Sequence, residues 1–493
     1  MSDSQYLLSD AQMRQYITRG FVVLNPNLPA SLHETIYQKT EEVFAKEGNP
    51  GNNILPRVPE LNQVFADPVL RGGLQSVLGP GFVMHAHRHP HINPAHSDGG
   101  GWHKDSYWGY SKVRYHRTRW AMIFYYPQDV ALENGPTAVM AGTQYYNARV
   151  EDEASEVHVP VLGAAGTAAL VHFDLWHRAM PNSTDRTRYM MKFQFARTAE
   201  PSRPSWDNRS LEWPGDGADK HRGMWSQIWD WHCGKKGRGI AANGHSLAAL
   251  KKALAAAGEA ERLAAADSLG ALGEDAVPAV PALARALRDA AETVQLNAAY
   301  ALGAVGVAAV PALLEALDDA EEGPRLAAAY GLSAVGAAAV PALLQVLDHA
   351  RDHVRGFAAY ALGEIGATAG EGAVEALAGM VGDSSEWVRR NVAEALGTIE
   401  CHPAAAVPAL IELLEDEDAQ VRFNTPYALA HYGAAATPAL GALSRVLDDE
   451  NRYVSGHAMT ALQRIGTPEA EAVMLDFLGT ARWCPLTTRE SMY

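Results

Sequence analysis

Two histidines and one aspartate in this chain have the types and the spacing that suit a single metal ion. His103 and Asp105 are separated by one residue, and His177 lies further along the chain. On an extended segment, side chains two residues apart point to the same side, so His103 and Asp105 can reach one ion. Two imidazoles and a carboxylate favour non-haem Fe(II) and leave other coordination positions open for oxygen chemistry. The three residues are therefore candidate metal ligands and catalytic residues.

An arginine follows the second histidine closely enough to belong to the same site. Arg188 stands eleven residues after His177, and a planar guanidinium can hold a carboxylate through two parallel hydrogen bonds. Arg186, two residues earlier, is a rival for that role. The pattern predicts a metal centre beside an anchor for the carboxylate of a co-substrate.

Four alternating histidines, His85, His87, His89 and His91, precede the candidate ligands. On a strand these side chains share one face. The run predicts a polar wall of a substrate pocket, with His87 and His91 as candidate substrate-binding residues. The alternatives are a half-exposed strand face without a catalytic role and a second metal site. Trp108, in the loop after the aspartate, is the aromatic residue best placed to line the same pocket.

The composition bounds the class of protein. The chain has 493 residues, 47% of them hydrophobic, and a formal net charge of −16, so more than one domain is expected and nucleic acid is an unsuitable partner. Three well-separated cysteines favour a reducing compartment over a disulfide framework. Neither a secretory signal nor an uninterrupted apolar run of about 18 residues is visible. We expect a cytoplasmic protein that binds neither nucleic acid nor membranes.

The first half of the chain predicts a β-rich domain with flanking helices. A helix is expected over residues 9–20, followed by a strand over residues 21–24. Short apolar or alternating runs separated by Gly, Pro and Asn then indicate an all-β sandwich or barrel. The further predicted strands cover residues 82–91, 120–126, 137–140, 168–173 and 188–197. The tryptophan-rich residues 206–231 are interpreted as packing between domains, with a lid as the alternative.

From about residue 245 the chain repeats itself with a period that begins at 30 residues and drifts to about 33. Each unit predicts two helices, such as residues 310–317 and 325–335, with Pro in the first turn and Gly after the last. This pattern signals an α-solenoid. One repeat position is occupied by Tyr300, Tyr330, Tyr360 and Tyr427. These tyrosines are interpreted as packing between repeats, with a binding surface as the alternative.

The predicted boundaries follow from this change in composition. They are a β-rich domain over residues 1–235, a linker over 236–244, a solenoid over 245–470 and a C-terminal tail over 471–493.

The surroundings of the candidate ligands resemble a known family. The resemblance rests on the motif Trp102-His103-Lys104-Asp105, the turn at residues 133–136 with its following Gly142-Thr143, the segment from His177 to Asn182 that leads to Arg188, and the strand at residues 21–24. Over about residues 5–235, these pieces resemble the phytanoyl-CoA dioxygenase family of Fe(II)/2-oxoglutarate oxygenases. The second half resembles HEAT repeats of the short kind found in phycobilisome-lyase-like proteins.

The resemblance implies a multidomain protein with a double-stranded β-helix of the jelly-roll, cupin-like type, flanking helices and a HEAT-like solenoid. It implies that His103, Asp105 and His177 bind Fe(II), that Arg188 pairs with the distal carboxylate of 2-oxoglutarate, and that O2 is the oxidant. One departure is Gln144, where the family often has a histidine. Related halogenases replace the carboxylate with a small residue, so the presence of Asp105 favours hydroxylation, desaturation or demethylation over halogenation.

The sequence thus predicts an Fe(II)/2-oxoglutarate-dependent dioxygenase that oxidises a small metabolite or a natural-product intermediate and releases succinate and CO2. An acyl-CoA substrate is not assumed, because the chain shows no basic cluster fitted to the phosphates of CoA. The alternative is a non-catalytic scaffold with a vestigial oxygenase domain. The solenoid is a candidate to bind a protein partner, to mediate self-association or to cover the mouth of the active site.

Overall fold

The computed structural model describes residues 4–105, 113–152, 155–235 and 246–480. Trp108, the predicted linker and residues 481–493 lie outside these ranges. The first part of the chain forms helices and antiparallel strands. In chain order the elements are α1 (Asp10–Arg19), β1 (Phe21–Leu24), α2 (Ala30–Glu47), α3 (Ile54–Arg57), α4 (Leu61–Ala66), α5 (Pro68–Leu78), β2 (Val83–Asn93), β3 (Trp120–Tyr125), β4 (Thr137–Met140), β5 (His158–Pro160), β6 (Ala168–His172), β7 (His177–Ala179), β8 (Arg188–Ala196) and α6 (Arg222–His232).

The strands form two antiparallel sheets, as the predicted sandwich requires. One sheet has the order β1-β6-β3-β8-β2, and the other has the order β5-β4-β7. The inner strand β8, between β3 and β2, is buried along its whole length. The predicted strands are confirmed, whereas β5 and β7 were missed because each has only three residues.

Local sequence signals fix where α1 begins and ends and where β1 begins. The Ser9 side chain accepts a hydrogen bond from the backbone N–H of Gln12, and the Gln12 side-chain oxygen accepts one from the backbone N–H of Ser9. The two bonds form a capping box at the start of α1. Gly20 ends the helix with a left-handed φ of 81°, a conformation that favours glycine. β1 begins at the next residue, so the helix and strand predicted at residues 9–24 are confirmed.

The second half is helical throughout its described residues. Its helices are α7 (Leu247–Ala253), α8 (Glu259–Leu272), α9 (Val280–Ala286), α10 (Glu292–Val305), α11 (Val310–Leu317), α12 (Glu322–Val335), α13 (Val340–Gln345), α14 (Asp352–Ile365), α15 (Glu371–Ala378), α16 (Glu386–Ile399), α17 (Pro403–Leu413), α18 (Ala419–Tyr432), α19 (Leu440–Val446), α20 (Arg452–Ile465) and α21 (Pro468–Thr480). Short and long helices alternate from α9 to α20, which confirms the predicted solenoid.

Successive repeats are joined by ion pairs as well as by apolar packing. An arginine in the first turn of one long helix binds an aspartate in the acidic turn of the next repeat. The shortest N–O distances are 2.6 Å for Arg262–Asp289, 2.7 Å for Arg355–Asp383, 2.6 Å for Arg389–Asp416 and 2.7 Å for Arg422–Asp449. Paired guanidinium–carboxylate contacts of this kind fix geometry as well as adding energy.

Two stretches of the solenoid, Glu292–Leu317 and Glu322–Gln345, are long and apolar enough by composition to cross a membrane. Each combines a long helix, a 3-10 turn and the short helix that follows. Half of each stretch is buried inside the protein, so packing between repeats accounts for its apolar composition.

The repeated tyrosines contact the β-rich domain of the same chain. The Tyr300 hydroxyl lies 2.8 Å from Nδ1 of His116, the Tyr330 hydroxyl accepts from the Arg114 backbone at 2.8 Å, and the Tyr427 hydroxyl donates to a backbone carbonyl. Their hydroxyls therefore bind the first domain, which is the alternative that the sequence left open. The rings of Tyr330 and Tyr360, whose centroids are 6.1 Å apart, also pack between adjacent repeats, as predicted.

A buried ion network reinforces the same interface. Arg119, which precedes β3 in the first domain, pairs with Glu200 at 2.8 Å and with Glu364 of α14 in the solenoid. The helix α6 in the tryptophan-rich segment contacts α8 and α10, which confirms that this segment packs between the domains.

Candidate metal centre

The backbone brings the two candidate ligand segments side by side. His103 and His177 form an antiparallel bridge, with N–H···O distances of 3.0 Å from His103 to His177 and 2.9 Å in return. His177 is the first residue of β7. Because His103 is bridged in an extended segment, Asp105 two residues later returns to the same side.

The side chains of these three residues converge. One ligand atom from each of His103, Asp105 and His177 lies within 4.8 Å of the other two. The two imidazole centroids are 4.3 Å apart, and Nε2 of His177 is 3.7 Å from Oδ1 of Asp105. Among the ranges that the structure describes, this is the one group of His, Cys, Asp or Glu arranged to hold a metal. A second metal site in the histidine row is therefore not found there.

Both imidazoles are oriented by a carbonyl two residues earlier in the chain. Nδ1 of His103 lies 3.0 Å from the carbonyl oxygen of Gly101, and Nδ1 of His177 lies 3.0 Å from that of Leu175. A carbonyl only accepts, so Nδ1 carries the hydrogen and Nε2 presents its lone pair. Nε2 of His177 is buried without a hydrogen-bond partner in the described part of the chain. A metal ion would satisfy this atom, so the donor set fits Fe(II).

A lysine that the sequence analysis missed holds the carboxylate. Nζ of Lys192 lies 2.8 and 2.9 Å from the two oxygens of Asp105, and Nε2 of Gln194 donates to Oδ2 at 3.3 Å. Burial opposes ionisation of Asp105, but the charge of Lys192 and the neighbouring His177 hold its pKa below the usual range. The carboxylate is therefore kept charged and ready to bind a cation. The signal was available, because Arg188, Lys192 and Gln194 all fall on one face of the buried strand β8.

The second histidine is kept neutral by its surroundings. Burial lowers the pKa of His177 to about 3, against the attraction of Asp105. A neutral imidazole is the form that binds a metal. The site therefore offers a ready nitrogen and a ready carboxylate at neutral pH.

Lys104, between the two ligands of the motif, points the other way and anchors the segment. Its ammonium donates to the carbonyl oxygens of Thr143 at 2.6 Å and Asp174 at 2.5 Å, and it lies 5.6 Å from the ring centroid of Trp176. This cation ties the loop that carries His103 to the strand end that precedes His177.

Arg188 is buried at the start of β8, and the predicted turn holds it. Its Nε and Nη2 donate to the carbonyl oxygen of Gly135 at 2.9 and 2.8 Å. Gly135 has a left-handed φ of 65°, and a Cβ there would lie 2.3 Å from Nδ2 of Asn93. Within the described ranges, no carboxylate forms an ion pair with Arg188. The Glu-Asn-Gly-Pro turn thus positions a buried cation that has no counter-ion among the described residues.

Asn182 sets the loop that leads to this arginine. Its Nδ2 donates to the carbonyl oxygens of Asn93, Pro94 and Arg186 at 3.1, 3.0 and 2.8 Å. The rival Arg186 is exposed and lies over the Tyr37 ring at 5.1 Å. Of the two arginines, Arg188 is the one inside the domain.

The histidine row lies beside the same site. β2 pairs with β8 so that His89 faces Lys192 and His91 faces Met190. The His89 ring lies 5.9 Å from that of His87 and 5.1 Å from that of His91, and Lys192 binds Asp105, so these two predicted residues lie near the ligand set. Nδ1 of His89 and Nε2 of His91 are buried without a hydrogen-bond partner among the described residues. The row therefore presents neutral, hydrogen-bonding groups to the site.

Comparisons with known proteins agree with this architecture. Residues 18–190 match the family model described as phytanoyl-CoA dioxygenase (PhyH), and five overlapping segments between residues 247 and 484 match the model for HEAT repeats. No curated protein matches the chain.

Several solved structures are similar to part of the chain. A non-heme monooxygenase in its ThoJ–Ni complex has 21% identity over 38% of this chain and 80% of that chain, with a TM-score of 0.30. The carbocyclase SnoK, titled non-heme, α-ketoglutarate dependent and from nogalamycin biosynthesis, has 16% identity over 40% and 88%, with a TM-score of 0.33. EctD from S. alaskensis, solved with 2-oxoglutarate and 5-hydroxyectoine, has 18% identity over 39% and 77%, with a TM-score of 0.34.

The two family matches fall on the two parts that the structure separates into sheets and paired helices. The chain therefore combines a region similar to the phytanoyl-CoA dioxygenase family, at residues 18–190, with a region similar to HEAT repeats, at residues 247–484.

Proposed function

We propose that this protein is an Fe(II)- and 2-oxoglutarate-dependent dioxygenase that oxidises a small metabolite or a natural-product intermediate. The observation that carries the proposal is the convergence of His103, Asp105 and His177 to within 4.8 Å. Bound iron would supply the activation of O2, with 2-oxoglutarate as the source of two electrons. One oxygen atom ends in succinate beside released CO2, and the other oxidises the substrate by hydroxylation, or is reduced to water in a desaturation.

The residues of this chain supply binding, orientation and charge. His103, His177 and Asp105 would bind the iron, and Lys192 would remain hydrogen-bonded to the carboxylate of Asp105. Arg188 would bind the distal carboxylate of 2-oxoglutarate, because it is a buried guanidinium without a counter-ion among the described residues. His87 and His91 would contact the substrate through hydrogen bonds.

Anaerobic spectroscopy on the full chain tests this proposal. Fe(II) and 2-oxoglutarate together should give a weak metal-to-ligand charge-transfer band in the visible. His103→Ala and His177→Ala should abolish it, whereas His96→Ala, at an exposed histidine, should leave it unchanged. In air, the wild-type chain should release succinate, and a screen of small molecules should identify compounds that accelerate this release.

The scaffold alternative gives the opposite results. If the wild-type chain shows no band and His177→Ala binds iron as well as the wild type does, the site is vestigial. The same outcome would favour protein binding by the HEAT repeats as the function of this chain.

A further inference from the structure

The HEAT part of the chain reaches the histidine row. Tyr453, near the start of α20, places its hydroxyl 3.1 Å from Nδ1 of His87. The same hydroxyl accepts a hydrogen bond from Nδ2 of Asn52 at 3.3 Å. The Tyr453 ring stacks on His85, with centroids 5.3 Å apart and an interplanar angle of 21°. A side chain from the solenoid is therefore built into the wall assigned to the substrate.

The packing of α20 against β2 is close enough to fix this position. A Cβ at Gly456 would lie 2.9 Å from the Cβ of Ala86, so the helix and the strand meet almost backbone to backbone. The buried His457 ring lies 4.9 Å from His85 and 5.8 Å from Trp120. Contacts on both sides of Tyr453 thus hold it against the row.

The row connects Tyr453 to the metal ligands. Lys192, which binds Asp105 at 2.8 Å, is the cross-strand partner of His89. The His89 ring lies 5.9 Å from the ring of His87, the residue that Tyr453 touches. Arg452, the neighbour of Tyr453, brings its guanidinium to the same row, with Nη2 3.5 Å from the Tyr453 hydroxyl. α20 therefore adds a phenol hydroxyl and a cation to a wall of imidazoles. Hydroxyl and carboxylate groups are the chemistry that such a wall would recognise.

We propose that the HEAT repeats form one wall of the oxidation site, and that Tyr453 is a specificity-determining residue for small substrates bearing hydroxyl or carboxylate groups. The inference rests on the proposed function, because it assumes that oxidation occurs at the ligand set. It gives the solenoid a role within the chain that needs no protein partner.

A pair of matched variants separates this role from general support of the interface. Tyr453→Phe removes only the hydroxyl that contacts His87. Tyr300→Phe removes a hydroxyl with the same kind of contact, 2.8 Å from Nδ1 of His116, at another part of the same interface. Both full-length variants should bind Fe(II) and 2-oxoglutarate as the wild type does, as judged by the anaerobic visible band.

Substrate kinetics then give the decisive comparison. For compounds that stimulate succinate release, Tyr453→Phe should raise KM about tenfold with little change in kcat, as expected for one lost hydrogen bond. Tyr300→Phe should leave both unchanged. The proposal is overturned if Tyr453→Phe keeps the wild-type KM for every such compound, or if Tyr300→Phe changes KM equally.

A second measurement needs no known substrate. Consumption of 2-oxoglutarate without an added compound should rise at least about threefold in Tyr453→Ala, because the missing ring opens the site to water. Tyr300→Ala should stay at the wild-type rate. If no compound stimulates turnover, equal rates in these proteins overturn the proposal. Absence of the visible band in the wild type is a separate result, since it removes the proposed function itself.

Discussion

Replacement of Arg188 tests the co-substrate anchor. Two of its five N–H groups are used on Gly135, which leaves three for a carboxylate. Two charge-assisted hydrogen bonds at about 1.5 kcal/mol or more each predict a loss of about 3 kcal/mol in Arg188→Met, roughly 100-fold or more in Kd for 2-oxoglutarate. Arg188→Lys should fall between, because lysine keeps the charge but loses the fork.

The assay is an anaerobic titration of 2-oxoglutarate into the Fe(II)-loaded protein, followed by the visible band. Arg186→Met is the matched control, since this exposed arginine is two residues away, and it should bind 2-oxoglutarate within twofold of the wild type. Fe(II) binding by Arg188→Met reports whether the variant remains folded. The reasoning is refuted if a folded Arg188→Met binds 2-oxoglutarate as tightly as Arg186→Met.

Three further predictions concern charges inside the protein. Lys192→Met leaves Asp105 buried without its ammonium partner, so the metal-free variant should unfold at a lower temperature than the metal-free wild type. Added Mn(II) should raise the Tm of the variant more than that of the wild type. An equal increase in Tm in the two proteins would contradict this. Glu364→Gln should lower the free energy of unfolding in urea by about 2 kcal/mol, because it removes one of the two carboxylates that pair with the buried Arg119. Glu415→Gln, in a pair that is 63–64% exposed, should change it by less than about 1 kcal/mol. Burial lowers the pKa of His116 to about 3, so as the pH falls below about 6.5 the unfolded state takes up a proton that the folded state does not, and stability is lost. Between pH 7 and pH 5.5, the free energy of unfolding in urea should therefore fall by about 1 kcal/mol less in His116→Gln than in the wild type. An equal fall in both proteins would count against a neutral buried ring.

The ligand set could be predicted because its signals are local. The i, i+2 spacing of His103 and Asp105 needs only an extended segment to place both side chains on one side. The repeat period likewise predicted paired helices, since each unit carries its own Pro and Gly punctuation. The first residue of α12 was predicted less accurately: the helix begins at Glu322 and not at residue 325.

The partners of these residues could not be predicted in the same way. Lys192 reaches Asp105 because β8 lies between β2 and β3 in the sheet, and no spacing in the chain shows that order. The repeated tyrosines were interpreted as packing between repeats, and the rings of Tyr330 and Tyr360 do so, but the sequence did not show that the hydroxyls of Tyr300 and Tyr330 also bind the first domain. Both outcomes depend on which surfaces meet after folding.

The sequence by itself therefore determined the chemistry that the chain carries: two imidazoles, a carboxylate and an arginine on a β-rich domain, followed by a solenoid. Tertiary structure alone decided that the solenoid packs against β2, the strand that carries the histidine row. Tyr453 contacts His87 across 366 residues of sequence, because the stacked repeats hold α20 against β2. Local patterns fix which groups are present, and the packing of distant elements fixes which of them share a site.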